Sequence, residues 1–341
     1  MEKENTKKTD MLSMLPQEIA EIVSPAYRAE QIFSWLHKHH ATSFVAMNNL
    51  PLSLRDKLEE IHYISTMTTL EKHESVNDGT IKFLSATHDN NLVESVLMSY
   101  KHGNSVCIST QAGCRMGCTF CASAENGLAR NLTAGEYCAQ VYSAFPIKNI
   151  VLMGCGEPLD NYENTVKFIK LITHPKGINI GQRHITLSTC GLVPEIYKLA
   201  DEKFQITLAV SLHAPDDETR QTLMPIAKVY PLSDLIKACK YYTKTTHRRL
   251  TFEYAMAKDI NTSSFHAQTL VKLLKGMMCH VNLIPINKAR GEFLPTSRNE
   301  TMRFAKILEE NHIPTTIRRS LGNDVNASCG QLRSNFSYMS Y

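Results

Sequence analysis

The chain has little net charge of either sign, no long apolar run and no internal repeat, and each absence narrows what it can be. Lys and Arg outnumber Asp and Glu by only 4 in 341 residues, too slight a balance to mark the whole molecule as a nucleic-acid binder. No stretch approaches the roughly 20 apolar residues of a membrane span, and the opening MEKENTKKTDML has no apolar secretory core. A cytoplasmic protein without membrane contact is therefore expected, its thiols reduced apart from any catalytic pair. Ten cysteines in a chain of this size do not read as a disulfide framework. Low-complexity segments are also lacking. What remains, 43 % hydrophobic and 21 % charged residues, suits a globular enzyme with one large α/β domain and a smaller appendage.

Three of the cysteines are concentrated. Cys114, Cys118 and Cys121 stand in Cys-Arg-Met-Gly-Cys-Thr-Phe-Cys. Three thiolates can hold three irons of a four-iron cluster and leave the fourth open, which a redox enzyme can use to chelate a substrate. The competing reading is zinc, which takes four ligands. The chain has no second paired-cysteine half, so zinc would need His102 or Cys107 as its fourth ligand. The CxxxCxxC spacing with an aromatic before the last cysteine resembles the signature of the radical S-adenosylmethionine (SAM) superfamily. That resemblance implies a [4Fe-4S] cluster whose open iron binds SAM.

Periodicity divides the chain. Residues 1–60 read as a helical accessory domain, with Ala29, Ile32, Phe33 and Leu36 on one helix face and Pro51 opening a helix that carries Leu54 and Leu58. Residues 61–103 read as a β-rich connector broken at Asn77-Asp78-Gly79, a hairpin signal, and at Asp89-Asn90-Asn91. Residues 104–341 alternate strand-like runs, such as Ile150–Met153, Leu250–Tyr254 and His280–Ile284, with amphipathic stretches such as Leu232, Leu235, Ile236 and Cys239. We therefore expect an α/β fold with a parallel sheet curved into a full or partial (β/α) barrel. The unusual residues follow the strands: Gly154-Cys155-Gly156-Glu157-Pro158, Ser188-Thr189-Cys190-Gly191, Ser211-Leu212-His213 and Pro285-Ile286-Asn287. In such barrels that face carries the active site. With SAM on the open iron, Glu157 would accept from its amino group and Gly156 would let backbone approach it. Ser188, Ser211, Leu212, His213 and Asn287 would line the rest.

GCGEPLDN, ITLSTCG, SLHAPDDETRQTLMPI, VNLIPIN and the tail segment GNDVNASCGQL resemble the corresponding blocks of the RlmN and Cfr family, radical SAM methyltransferases acting on an adenosine of 23S ribosomal RNA and, for RlmN, of tRNA. The likeness runs from about Glu94 to Gln331 and is weaker in the N-terminal helices. It implies a partial barrel of radical SAM type and two SAM molecules per turnover. One methylates Cys329. The other, reductively cleaved, yields a radical that takes a hydrogen from the new S-methyl group, and the methylene carbon then adds to the electron-poor adenine ring. Cys107 attacks the sulfur of Cys329, releasing methylated RNA and leaving a transient disulfide. Glu94 matches a candidate proton acceptor, and which of Glu94 and Cys107 takes the ring proton stays open.

The intact Gly-Glu-Pro-Leu points to C2 methylation, as in RlmN, with Cfr-type C8 methylation as the alternative. Cys155, Cys190 and the loop Ala122–Gly127 depart from the usual pattern without removing a proposed ligand. An iron-sulfur RNA-binding sensor or a small-molecule radical enzyme would not need the Cys107–Cys329 pair. The implied partners are rRNA, tRNA and a low-potential electron donor such as flavodoxin or ferredoxin, acting on a monomer. The pairs Arg248-Arg249 and Arg318-Arg319, and Lys288 near Arg290, read as solvated surface or phosphate contacts. His37, His39 and His40 read as an exposed helix end or RNA contacts.

Overall fold

The computed structural model describes residues 8–286, 293–319 and 321–332. Strands β1 (Thr9–Asp10) and β2 (His62–Tyr63) pair in parallel and bracket three helices, α1 (Pro16–Ile22), α2 (Tyr27–His37) and α3 (Leu52–Ile61). Pro16 occupies the first turn of α1, where a missing N–H costs nothing. On α2, Ala29, Ile32, Phe33 and Leu36 are buried in the main core, as their spacing predicts.

An antiparallel meander follows: β3 (Thr68–Glu74), β4 (Ile81–Ala86) and β5 (Leu92–Met98), turning at the two Asp/Asn-rich breaks. It joins the main sheet through β6 (Ser105–Cys107). Next comes a small hairpin, β7 (Gln111–Gly113) and β8 (Leu128–Asn131), whose long loop contains the three spaced cysteines. The remainder alternates α4 (Ala134–Ser143), β9 (Asn149–Leu152), α5 (Tyr162–Ile172), β10 (Ile185–Thr189), α6 (Val193–Asp201), β11 (Thr207–Ser211), α7 (Asp217–Leu223), α8 (Leu232–Thr246), β12 (Leu250–Met256), α9 (Ser264–Leu274), β13 (Cys279–Pro285), α10 (Arg298–Glu310) and β14 (Thr315–Ile317).

The sheet has ten strands in the order β14-β13-β12-β11-β10-β9-β6-β5-β4-β3. From β6 to β14 its neighbours are parallel. The two edges, β14 and β3, do not pair with each other. This is the expected α/β partial barrel with an N-terminal helical unit.

Its two faces differ as the strands alternate. Leu152, Leu187 and Leu208 lie side by side and are fully buried among the helices. The other face carries polar groups toward the strand ends: Ser188, Ser211, Glu253 and Asn282. Capping boxes start α4 (Thr133 with Glu136) and α10 (Ser297 with Glu300). Among the described residues, no helix is long and apolar enough to cross a membrane.

One expectation needs correction. His37 is no exposed helix end: it is fully buried, its Nδ1 lies 2.7 Å from Tyr142 Oη, and His40 stacks on the same tyrosine. His39 alone of the three is exposed, against Trp35. All ten cysteines are free thiols, Cys107 and Cys329 included.

Candidate active site

The loop between β7 and β8 is closed at its base by backbone. Cys114 N–H donates to Gly127 O at 2.8 Å, and a Cβ on Gly113 would fall 2.0 Å from that same carbonyl oxygen. Glycine is therefore required there, at φ +82°. Farther along, Thr119 N–H and its hydroxyl both donate to Leu223 O, which docks the loop on α7. Cys114, Cys118 and Cys121 thereby line an open cavity of about 1020 Å³, a figure that counts the solvent space at its mouth. Burial pushes all three thiols up, Cys114 to about 12.

The arrangement of sulfurs separates the two metal readings. Tetrahedral zinc at about 2.3 Å from each sulfur needs sulfurs about 3.8 Å apart. Among the described residues, the three cysteines do not form a set of ligand atoms within 4.8 Å of one another. His102 is exposed and stacked on Tyr100, and Cys107 lines a different pocket. Three thiolates on the wall of one cavity fit an iron-sulfur cluster with one open iron.

The same cavity is lined by Gly156, Glu157, Ser188, Ser211, His213 and Cys329. Glu157 is buried, which raises its pKa, although both its oxygens accept from backbone: Oε1 from Leu159 N–H at 3.0 Å and Oε2 from Cys190 N–H at 2.7 Å. A carboxylate has further lone pairs, so it can still receive an ammonium. Gly156 also has a packing role. A Cβ there would come within 2.6 Å of Gln111 Cβ and 2.7 Å of Gln111 N, so glycine serves packing of its loop on β7.

His213 Nδ1 accepts from Ala255 N–H at 3.0 Å, which leaves Nε2 as the protonated donor. Burial and then Arg220 hold this imidazole neutral, with its pKa down to about 3. The ring of Phe120, the aromatic before Cys121, meets it edge-on at 5.0 Å. Leu212 does not line the cavity. It is a core residue whose N–H donates to Glu253 O and whose carbonyl accepts from Arg220 Nε. Asn287 lies outside the described residues.

Cys329 reaches this wall because the tail folds back across the sheet. Ala122 N–H donates to Gly330 O at 2.9 Å, and Ser123 Oγ to Leu332 O at 2.9 Å. Cys329 also lines a second, smaller pocket with Cys107, Val96, Met98 and Leu332. Cys107 is buried, and burial first, then Cys329, pushes its thiol up to about 12. Glu94 stands on the neighbouring strand. Its carbonyl accepts from Ser109 Oγ at 2.6 Å, and its carboxylate pairs with Lys82 at 3.3 Å.

Three further residues shape this site without a plain sequence motif. Glu253, buried and held by Asn282 Nδ2 at 2.8 Å, lines the cavity from β12. A charge inside the apolar run Leu-Thr-Phe-Glu-Tyr-Ala-Met was its signal. Arg318 lines both pockets, and its charge is favoured first by Cys329 and also by Glu253 and Cys107. It follows a strand, like the other site segments, and its place beside Arg319 makes it resemble a surface or phosphate-contact pair in the sequence. Arg220 is fully buried on carbonyls, including Cys190 O at 2.8 Å and Ser211 O at 3.3 Å, so it ties β10 to β11. No local pattern marks it.

Comparison with known proteins agrees with this geometry. The radical SAM superfamily profile matches residues 108–267, and the profile described as the ribosomal RNA large subunit methyltransferase N-terminal domain matches residues 12–64. The chain is 52 % identical to the probable dual-specificity RNA methyltransferase RlmN of Clostridium novyi over 91 % of its own length and 92 % of the relative's. The chain belongs to the RlmN family. The protein of the same name from Clostridium botulinum (strain Alaska E43 / Type E3) is 54 % identical over 91 % of each chain. A solved radical SAM methyltransferase from Sphaerobacter thermophilus superposes with a TM-score of 0.91 at 43 % identity, covering 95 % of this chain and 99 % of that one. Membership accounts for the three-cysteine loop on the wall of this cavity: the family's cofactors are a [4Fe-4S] cluster and SAM, two per turnover.

Proposed function

We propose that the chain is a SAM-dependent RNA methyltransferase that modifies C2 of an adenosine in 23S rRNA and in tRNA, with Cys329 as the methyl carrier. The observation that carries this reading is the position of Cys329, whose residue lines both the cluster cavity and the pocket of Cys107. A cluster sensor has no use for a thiol held between those two places.

Cys114, Cys118 and Cys121 would hold the cluster, and Gly156, Glu157, Ser188, Ser211 and His213 would surround SAM. Together these cofactors supply the methyl group and the one-electron chemistry that removes a hydrogen from it. Cys329 takes the methyl group on sulfur and presents it to the adenine ring. In this reading Glu94, on the strand next to Cys107, accepts the ring proton, and the unpaired electron left on the adduct departs through the one-electron chemistry that the cofactors supply. Cys107 sulfur then attacks Cys329 sulfur: the S–S bond forms, the S–CH₂ bond breaks, and the methylene carbon keeps the electron pair and gains a proton. The buried Cys107 thiol must lose its proton before that attack, and burial disfavours the thiolate.

The helical region 1–60 supports RNA binding in this reading, residues 61–103 connect it, and residues 104–341 perform the chemistry. The relatives' shared name favours C2 over C8. The enzyme acts as a cytoplasmic monomer supplied by flavodoxin or ferredoxin. Anaerobic protein with a reconstituted cluster, given SAM, dithionite and an rRNA fragment or tRNA, should yield 2-methyladenosine by mass spectrometry of digested nucleosides. Cys329→Ala should yield none. 8-methyladenosine would move the reading to C8, and deoxyadenosine release without methylated base would refute the substrate.

A further inference from the structure

Lys82 on β4 lies opposite Val96 on β5, and Val96 lies opposite Cys107 on β6. Opposed residues share a face of the sheet, so the three form one row beneath the tail. Glu94, two residues from Val96, points to the same side. The Lys82 side chain is 11 % exposed, unlike Lys72 on the neighbouring edge strand, which is 53 % exposed. Its Nζ stands 3.3 Å from Glu94 Oε1 and 3.5 Å from the carbonyl oxygen of Asn326, three residues before Cys329.

We propose that Lys82 is a positioning residue for methyl transfer, fixing the Glu94 carboxylate and the Cys329 tail in one geometry. The inference rests on the function proposed above. A buried carboxylate that loses its cation partner is driven toward its neutral acid, which no longer accepts a proton. Lys82 therefore holds Glu94 as a base, while its bond to Asn326 O sets how far the methyl carrier stands from that base. Other contacts fasten the start of the tail. Asp324 accepts from Ser75 Oγ at 2.8 Å and from Val76 N–H at 3.1 Å, and Gly322 N–H donates to Asp78 at 2.9 Å. Lys82 touches both the base and the tail.

The test uses full-length, cluster-reconstituted protein as wild type, Lys82→Met and Lys82→Arg. Three quantities are read: methyl on the Cys329 peptide by mass, methyladenosine in the RNA, and covalent protein–RNA species on a denaturing gel. Lys82→Met should methylate Cys329 as wild type does, accumulate the covalent species and release at least about tenfold less methyladenosine. Lys82→Arg, which keeps the cation, should restore most of the release. Wild-type release by Lys82→Met would overturn the inference alone. Parallel loss of Cys329 methylation and of melting temperature in both variants would make Lys82 a folding residue and overturn it as well. A wild-type enzyme that makes no methyladenosine at all would overturn the underlying function instead.

Discussion

Gly156 shows how a single residue can serve a site through its own packing. It lies next to Glu157, whose carboxylate is locked by two backbone N–H groups, and its φ of +102° is one that side chains rarely adopt. A methyl group there would meet backbone nitrogen of Gln111 at 2.7 Å, and a backbone atom cannot swing aside. Gly156→Ala should therefore cost at least about 2 kcal/mol of stability. Thermal unfolding checks this, with the cluster's visible absorbance reporting whether the loop still forms. An unchanged melting curve would show that the loop has room. At this scale, legibility followed locality. Cys114, Cys118 and Cys121 declare themselves because their spacing lies within one loop. Arg220 and Glu253 act through groups on other strands, and neighbouring residues carry no record of that.

Among the elements, α4 shows how the N-terminal unit is joined to the barrel. Asp10, the last residue of β1, receives Leu12 N–H and Ser65 N–H on Oδ1, each at 3.1 Å. Its Oδ2 receives Ser13 Oγ at 2.7 Å and Thr133 Oγ1, the N-cap of α4, at 3.0 Å. One carboxylate thus joins β1, the segment after β2 and the start of a barrel helix, where a negative charge also suits the helix dipole. Asp10→Ala removes all four bonds and leaves two buried N–H groups without this acceptor. We expect a loss of about 3 kcal/mol and faster protease cleavage within residues 8–64 than elsewhere. Asp10→Asn keeps an oxygen for both N–H groups and should lose less. Equal cleavage rates in Asp10→Ala and wild type would show that the helices dock through their apolar faces alone.

For the whole molecule, the alternation of strands and helices was legible because period 2 and period 3.6 are local signals. The continuation of the sheet through β5, β4 and β3, and the return of the tail over the cluster loop, were not, because both depend on pairing between distant segments. The same limit hid His37, whose polarity suggested a surface and whose packing makes it interior. It sits between Phe33 and Tyr142, near His174 and His40, on the helix that ties the N-terminal unit to α4. Burial first, then the charges of His174 and His40, lower its pKa from 6.5 to about 3. Below pH 6.5 the unfolded chain binds a proton there that the folded chain refuses, so acid favours unfolding. The contribution is constant above pH 6.5 and is lost progressively toward pH 3, at up to about 1.4 kcal/mol per pH unit. Denaturant unfolding between pH 7.5 and pH 4.5 should show stability falling below about pH 6.5. His37→Gln, which keeps a hydrogen-bonding group for Tyr142 but does not titrate, should flatten that fall by about one proton. Parallel curves for the two proteins would mean that His37 takes up its proton while folded, and that the docked helix yields to admit the charge.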